Sequence, residues 1–381
     1  MIISHSRRFG MSGSNSTGST THRVLPADLG TAPEVAVFLR TLGLGEFVPS
    51  SVAAYPGRNN NWAGVTSTGH GVFVKRLDGD PADSLRRLHR VLTFERLLGI
   101  CTGEHLPRPQ CLGVDEPARL LAFELVDSRS GSELMADDCF TPGLSHDVGR
   151  AVGTLHQLPV DTDIELDLSP HPAPPVRFTE ALPQRVFTTS TGGELEVWRL
   201  LQNDAEICRA LHDLRHQESV ASPSPTHGDL RLDQLLVDGG KVYVSDWEEF
   251  RLADPARDIG SFVGELVWNA ISKIPESTTA DGRDLPPTHE AVMARGAQEL
   301  RRLRPLIAAF RTGYKAVRGN IDADLLVRAA AFAGWHLLDR VLASAGAHAR
   351  LSAMQRATVG IARKILLAPQ LFTTALALEE A

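Results

Sequence analysis

The amino-acid sequence predicts an α+β fold of two lobes, a small antiparallel β-sheet lobe followed by a large, mainly helical lobe. Strand-like apolar runs bounded by turn residues occur at residues 62–77 and 119–126. Beyond Gly131, apolar residues recur almost throughout at helical spacing. Because the strands precede the helices instead of alternating with them, the pattern disfavours a βαβ nucleotide-binding fold.

Composition narrows the class of partner. The chain has 381 residues, of which 43% are hydrophobic and 22% are charged, which suits two globular lobes with a sizeable core. Its net charge of −7 provides no positive field for nucleic acid or an anionic membrane and favours a neutral or cationic partner. No apolar run reaches the roughly 18 residues of a membrane-spanning helix. The sequence gives no indication of the oligomeric state.

The chain is expected to work in a reducing cytoplasm. Its four cysteines show neither CxxC spacing nor a dense disulfide pattern, and they are Cys101, Cys111, Cys139 and Cys208. The first 22 residues are rich in Ser, Thr and Gly, so we predict a disordered tail over residues 1–30. Arg7-Arg8 is not followed by an apolar stretch, which argues against an export signal.

Residues 31–126 form the predicted first lobe. Thr31 is expected to cap its first helix. Its other elements are two strands, from Trp62 to Thr68 and from Gly71 to Leu77, a helix from Pro81 to Leu98 and a buried strand from Arg119 to Val126.

Residues 127–381 form the predicted helical lobe. It has helices over residues 145–158 and 193–216, separated by a Pro-rich surface loop at 159–183. His146 and His156 are ten residues apart, which does not match the i, i+4 spacing of a helical metal site. We therefore expect packed or capping histidines.

The most informative segment runs from Thr226 to Val237. Asp229 stands five residues before Gln234, an apolar strand follows, and a second short strand ends at Asp246. Because a strand–turn–strand hairpin holds its two ends together, we expect these three side chains at one edge of a cleft. Phosphoryl transfer needs such a group, since one carboxylate meets the attacking hydroxyl while other oxygens hold Mg²⁺ on the phosphates.

Three elements occur in order here: His227-Gly228-Asp229, Asp246-Trp247-Glu248 and Asp254-Pro255-Ala256-Arg257-Asp258. In this order and spacing they resemble the aminoglycoside phosphotransferase and choline kinase superfamily. The resemblance spans roughly residues 45–345 and implies a bilobal, protein-kinase-like fold with ATP and Mg²⁺ as cofactors. It also implies that Asp229 is the catalytic base, Asp246 the main metal ligand and Asp258 a structural carboxylate.

Position 234 departs from the family pattern, which has Asn where this chain has Gln. Gln234 keeps the amide oxygen of a second metal ligand but adds a methylene, so the site is either rebuilt around it or belongs to a decayed pseudokinase. Arg231 stands where protein kinases carry a phosphate-contacting Lys. It either neutralises the transferred group or pairs with Asp233 or Asp254.

The first lobe carries the predicted nucleotide site. Lys75 ends an apolar strand, as does the lysine that binds the α- and β-phosphates in kinases. Before it, the run Pro56–Trp62, including Asn60 and Asn61, resembles the family's loop over the phosphates. Glu95 is the only acidic residue between Leu85 and Leu98, so we predict that it pairs with Lys75.

Residues 121–126 resemble the hinge between the lobes. By this resemblance the backbone C=O of Glu124 and N–H of Val126 meet adenine, with Phe123 behind it. The acceptor hydroxyl stays open between two classes. One is a small hydroxylated molecule, for which Asp322, Asp324 and Asp339 are candidate contacts if it is cationic. The other is Ser or Thr of a ribosomally made precursor peptide, since the loop is similar to kinases of class V lanthipeptide and thioamitide pathways. A third reading is a non-catalytic nucleotide-binding scaffold.

Overall fold

The computed structural model describes residues 25–26, 29–55, 58–101, 106–160, 163–274, 288–319 and 322–379. Most of the predicted disordered tail lies outside the described residues. The prediction is wrong for Leu25–Pro26, which form strand β1 because their backbone pairs with residues 53–54 at the sheet edge. A two-residue strand has no periodicity that the sequence could reveal.

A six-stranded antiparallel sheet forms the first lobe, in the order β1-β2-β3-β4-β6-β5. Its further strands are Ala53–Tyr55 (β2), Asn60–Val65 (β3), Gly71–Arg76 (β4), Cys111–Asp115 (β5) and Leu120–Glu124 (β6). The predicted hairpin is confirmed, since β3 and β4 pair from Asn60↔Arg76 to Val65↔Gly71.

Two helices flank this sheet. Helix α1, Pro33–Thr41, packs on the face that carries Trp62, Val72 and Val74, and its N-cap residue is Ala32 instead of Thr31. Helix α2, Pro81–Ile100, is capped by Asp80 and packs toward the second lobe, where Phe94 stacks on Trp247 with ring centroids 3.7 Å apart. This stacking fixes α2 against the segment that follows the central hairpin.

The second lobe is mainly helical, which confirms the predicted fold class. Its described helices are Gly131–Ala136 (α3), Pro142–Leu155 (α4), Gln184–Thr189 (α5), Gly192–Gln202 (α6), Ala205–Val220 (α7), Ala256–Ser272 (α8), His289–Arg318 (α9), Ala323–Ala345 (α10), Ala353–Leu367 (α11) and Pro369–Ala375 (α12). Its short strands are Arg129–Ser130 (β7), Ser224–Thr226 (β8), Leu235–Asp238 (β9), Lys241–Val244 (β10) and Arg251–Ala253 (β11).

One predicted helix is two helices. The segment predicted as 193–216 breaks between α6 and α7, because the Asp204 side chain accepts the N–H groups of Glu206 and Ile207 as the N-cap of α7. In the described part of the chain, no helix is long and apolar enough to cross a membrane.

Helices α8 and α10 pack side by side at the centre of this lobe. A Cβ atom on Gly260 would lie 2.5 Å from the Ala329 oxygen, and one on Gly264 would lie 2.7 Å from the His336 Cβ. Only glycine allows the two backbones to approach so closely. The two helices are therefore in close contact along this stretch.

Candidate active site

The hairpin of β9 and β10 brings the central residues together. Val244 pairs with Leu235 at its open end. Just beyond, the Ser245 N–H and hydroxyl both donate to the Gln234 carbonyl oxygen, at 2.9 and 3.0 Å. Asp246 therefore follows a residue that is bonded directly to Gln234. The Gln234 side chain in turn reaches Asp229, with 3.3 Å between Nε2 and Oδ2.

Asp258 holds the loop that carries Asp229. Its carboxylate accepts the backbone N–H groups of His227 at 2.7 Å and Gly228 at 2.9 Å. It also lies 3.1 Å from Nε2 of the buried His156. Burial opposes its ionisation, but the hydrogen bond and charge of His156 outweigh burial and lower the pKa of Asp258.

Gly228 allows the loop to turn at this point. Its φ angle is +83°, in the left-handed region, and a Cβ atom there would lie 2.6 Å from the Glu249 oxygen. His156 is a packed histidine, as expected, because its Nδ1 lies 2.9 Å from the Tyr314 hydroxyl. The His-Gly-Asp loop is thus held rigid by buried polar contacts.

Asp246 joins the two lobes. It is one of few non-glycine residues with positive φ (+69°), a strained conformation that clusters at functional sites. Its Oδ1 lies 2.5 Å from Nζ of Lys75, which is 8% exposed. Burial alone would lower the pKa of Lys75, but Asp246 and Glu248 outweigh it and raise the pKa. The lysine therefore remains charged in the cleft.

Comparison with known proteins decides the family. The model of the phosphotransferase enzyme family, APH, matches residues 55–306, which covers strands β3 to β6 of the sheet, the hairpin and Asp258. The chain belongs to the APH phosphotransferase family. No curated protein matches the sequence.

Several solved structures share the fold of this phosphotransferase. Amicoumacin kinase hAmiN, in complex with AMP-PNP and Ca²⁺, has a TM-score of 0.54 at 14% identity over 87% of this chain and 92% of its own. Choline kinase LicA from Streptococcus pneumoniae has a TM-score of 0.51 at 12% identity over 87% of this chain and 98% of its own. A choline/ethanolamine kinase family protein from Mesorhizobium loti has a TM-score of 0.50 at 13% identity, over 92% of this chain and 99% of its own. These identities show a common fold alone.

Glu248 is the hub of a buried ionic network. Its Oε2 lies 3.0 Å from Lys75 Nζ, 3.3 Å from Arg87 NH1 and 2.9 Å from Asn59 Nδ2. Burial disfavours its charged form, but Lys75, Arg87 and Arg58 outweigh burial and lower the pKa of Glu248 to about 2. The network ties α2 and the sheet to the segment after β10.

The prediction that Glu95 pairs with Lys75 is wrong in this structure. Glu95 makes a bidentate ion pair with Arg108, with N–O distances from 2.6 to 3.2 Å. Glu95 lies about two helical turns after Arg87 on α2. The residue of α2 that reaches the Lys75 site is Arg87, which contacts Glu248. The sequence carried a signal for Arg87, since it stands four residues before Val91 on the apolar face of α2.

The two predicted asparagines point to opposite faces of the sheet. Asn61 pairs with Lys75 across β3 and β4, so both side chains share the cleft face. Its Oδ1 is buried and has no hydrogen-bond partner in the described part of the chain. Asn60 lies on the opposite face of the sheet, where its Nδ2 donates to Asp78 Oδ2 at 2.6 Å. The prediction that the Asn60 side chain contributes to the nucleotide site is therefore corrected. Pro56 and Gly57 of the predicted phosphate loop lie outside the described residues.

The predicted hinge lies at the end of β6. Phe123 pairs with Phe73 across β4 and β6 and shares the Lys75 face. Glu124 donates its N–H to the Gln110 oxygen at 2.8 Å and has an exposed side chain. Val126 accepts the Ser128 hydroxyl with its carbonyl oxygen at 3.2 Å. The three residues lie at the end of β6 and just after it, where the chain passes from the first lobe to the second, and their contact with adenine stays a prediction.

Arg231 lies beside the predicted base. Its closest carboxylates are Asp233 at 3.4 Å and Asp229 at 3.6 Å, whereas Asp254 is paired with Arg328. Gln234 Oε1 accepts the Arg231 backbone N–H at 3.0 Å. The Gln234 amide thus braces the loop at Asp229 and at Arg231, a role that the family pattern did not suggest.

Proposed function

We propose that this phosphotransferase moves the γ-phosphoryl group of ATP to a hydroxyl group of a small molecule. The observation that carries the proposal is the meeting of three groups at one cleft. Asp229 lies on a loop fixed by Asp258, and Asp246 of the same lobe pairs with Lys75, which comes from the sheet of the first lobe. This is the charge arrangement that phosphoryl transfer uses.

The nucleotide fits between the sheet and the hairpin. Lys75 is charged and reaches the cleft, so it would bind phosphate oxygens. On the same face, Asn61 Oδ1 is an acceptor with no hydrogen-bond partner in the described part of the chain, so it would accept a donor group of the ligand and not a phosphate oxygen. At the hinge, Phe123 and the backbone of Glu124 and Val126 would contact adenine. The AMP-PNP in the amicoumacin kinase structure supports this assignment by fold.

The residues present also fit a divalent metal bound with the nucleotide. In the described ranges no three acidic, His or Cys side chains form a metal-binding group. Mg²⁺ needs no such cage, because it takes one or two protein carboxylates together with substrate phosphates. Asp246 would supply one carboxylate oxygen, and Gln234 an amide oxygen whose second lone pair is not used by Arg231. When bound, Mg²⁺ neutralises charge on the phosphates.

In the reaction, the acceptor oxygen forms a bond to the γ-phosphorus while the bond to the bridging oxygen breaks. ADP leaves with that electron pair. Asp229 accepts the proton of the acceptor hydroxyl, and Arg231 offsets negative charge on the transferred group. Each of these roles is proposed for a side chain of the loop before the hairpin.

The test compares the wild type with Asp229→Ala. We expect kcat to fall by roughly 10²–10⁴-fold with nucleotide affinity nearly unchanged, because a general base acts mainly in the transition state. ADP release and nucleotide binding are measured for both. Asp238→Ala is the matched control, since Asp238 is an exposed aspartate of the same hairpin. Turnover like the wild type in Asp229→Ala would refute the assignment.

A further inference from the structure

The residue before β3, helix α2 and the segment after β10 meet around one buried guanidinium group. This group belongs to Arg87, which is 0% exposed. Its NH1 atom donates to Asn59 Oδ1 at 2.9 Å and to Glu248 Oε2 at 3.3 Å. Asn59 closes the ring, because its Nδ2 atom donates to the same Glu248 oxygen at 2.9 Å. We call Asn59, Arg87 and Glu248 the Glu248 cluster.

The two donors of this cluster are themselves held by further hydrogen bonds. Asn59 Oδ1 also accepts the backbone N–H of Asp78 at 3.3 Å. Arg87 donates through Nε to Asp83 Oδ2 at 3.1 Å and through NH2 to the Asp78 carbonyl oxygen. A shift of either donor would break several hydrogen bonds among buried groups, which is unfavourable. The Glu248 carboxylate is therefore held in one position.

That carboxylate is the one that meets the lysine. Glu248 Oε2 lies 3.0 Å from Lys75 Nζ, so one oxygen accepts from three donors. A second carboxylate near Lys75 is Asp246, at 2.5 Å. If Asp246 binds the metal as proposed, its pairing with the lysine weakens, because the bound cation repels Lys75. Glu248 is then the carboxylate that remains to fix the lysine.

The charges are reversed relative to the kinase template. In protein kinases the strand lysine pairs with a glutamate of the helix that follows it. Here that helix, α2, presents Arg87, and the glutamate comes from the segment after β10. The helix therefore acts on Lys75 through a second residue. Its contribution should appear in what the lysine does, which is to bind phosphate oxygens.

We propose that Arg87 and Asn59 are positioning residues for the nucleotide phosphates, and that they act by holding Glu248 where it orients Lys75. The inference rests on the proposed function and names the residues that direct its lysine. The alternative is a purely structural role. In that case a substitution of Arg87 would weaken the binding of every part of the nucleotide alike, because it would act through the stability of the lobe.

The test separates these roles by the phosphates of the ligand. Binding of AMP-PNP with Mg²⁺ and of adenosine to the full-length chain is measured by NMR titration. We expect Arg87→Met to weaken AMP-PNP binding by about tenfold and to leave adenosine binding unchanged, because one charge-assisted contact to phosphate contributes about a tenfold change. In a Lys75→Met background, Arg87→Met should cause no further loss, since both substitutions remove the same contact.

Arg86→Met is the matched control, since Arg86 is the neighbouring arginine of α2, is exposed and lies 3.5 Å from Asp83. It should bind both ligands as the wild type does. If Arg87→Met does not fold, Asn59→Asp takes its place. This substitution keeps the Oδ1 acceptor of Arg87 but replaces the amide donor to Glu248 by an oxygen, so the same selective loss is expected.

Three results would overturn the proposal. The variant could weaken both ligands equally, leave AMP-PNP binding unchanged, or add its full loss to that of Lys75→Met. Failure of the proposed function would appear separately, as turnover in Asp229→Ala like that of the wild type.

Discussion

Glu248 Oε2 lies 3.0 Å from the Nζ atom of Lys75. The lysine thus takes its carboxylate partner from the segment after β10, and α2 contributes a cation, Arg87, to the same carboxylate. Movement of α2 relative to the hairpin would break the Arg87–Glu248 contact. The lysine, α2 and the proposed metal ligand Asp246 are therefore positioned together.

We predict that Glu248→Ala lowers kcat/KM for ATP by about 10²-fold. Removing the carboxylate leaves Lys75 and Arg87 without their shared partner, and a displacement of about 1 Å at a reacting group costs about this much. Glu95→Ala is the matched control, a glutamate on α2 whose partner is Arg108, and it should change activity by less than about threefold. Steady-state kinetics decide between them. A larger loss of kcat/KM in Glu95→Ala than in Glu248→Ala would instead support the pairing of Glu95 with Lys75 predicted from the sequence.

The same residue predicts a pH dependence. The pKa of Glu248 falls from 4.5 to about 2 on folding, so its contribution to stability is complete above pH 4.5 and is lost as the pH falls toward 2. The difference in unfolding free energy between the wild type and Glu248→Gln should therefore shrink over this window. Urea denaturation at several pH values measures it. A difference that stays constant down to pH 2 would contradict the prediction.

Much of the site could be predicted because its residues are close in sequence. Asp229, Gln234 and Asp246 lie at the ends of one hairpin, and turn residues and apolar runs locate a hairpin directly. Lys75 was identifiable from its strand. The partners that come from distant elements could not be predicted. Helical periodicity indicates which face of α2 is buried but not which element packs against that face.

Glu95 and Arg87 illustrate that limit. Both lie on α2, and tertiary contacts such as the stacking of Phe94 on Trp247 fix which end of the helix reaches the Lys75 site. In the same way, Arg87 and Glu248 are separated by more than 100 residues, and nothing in the local pattern of α2 indicates that carboxylate as the partner of Arg87.

We predict that Asp246→Asn abolishes the Mg²⁺-dependent part of the stabilisation by ATP. The substitution removes the one carboxylate proposed to hold the metal, and a ligand at 100-fold saturation stabilises by about 2.7 kcal/mol. Thermal unfolding with ATP, with and without Mg²⁺, measures the effect. Asp238→Asn should behave as the wild type. If Asp246→Asn keeps the full Mg²⁺-dependent shift, the metal lies elsewhere.

Asp258→Ala should destabilise the protein by about 3 kcal/mol or more. It leaves the buried N–H groups of His227 and Gly228 without their acceptor and removes the partner of His156. Asp213 is an exposed aspartate of α7, so Asp213→Ala should cost less than about 0.5 kcal/mol. Chemical denaturation gives both values. Equal stability of the two variants would show that the loop is held by other contacts.

The last prediction concerns Gln234, whose amide joins the Arg231 N–H to the Asp229 carboxylate. Gln234→Asn restores the family residue but shortens the side chain by one methylene, so it cannot keep both contacts without moving the loop. We expect Gln234→Asn to lower activity and Gln234→Ala to lower it further, with a higher Mg²⁺ requirement in both. The measurement is ATP turnover of the three proteins across a Mg²⁺ titration.

The alternatives give different results in that titration. If Gln234 only braces the loop, the two variants lose activity to a similar degree and their Mg²⁺ dependence matches the wild type. If the chain is a decayed pseudokinase, the wild type is inactive, and Gln234→Asn either leaves turnover unchanged or restores it. An active wild type that Gln234→Asn exceeds at every Mg²⁺ concentration would refute a site rebuilt around the longer side chain. The bonds from the Gln234 amide to Arg231 and Asp229 are made by atoms that Asn would withdraw, so a metal ligand and a brace both predict a loss of activity in Gln234→Asn, and the Mg²⁺ dependence of the variants distinguishes the two.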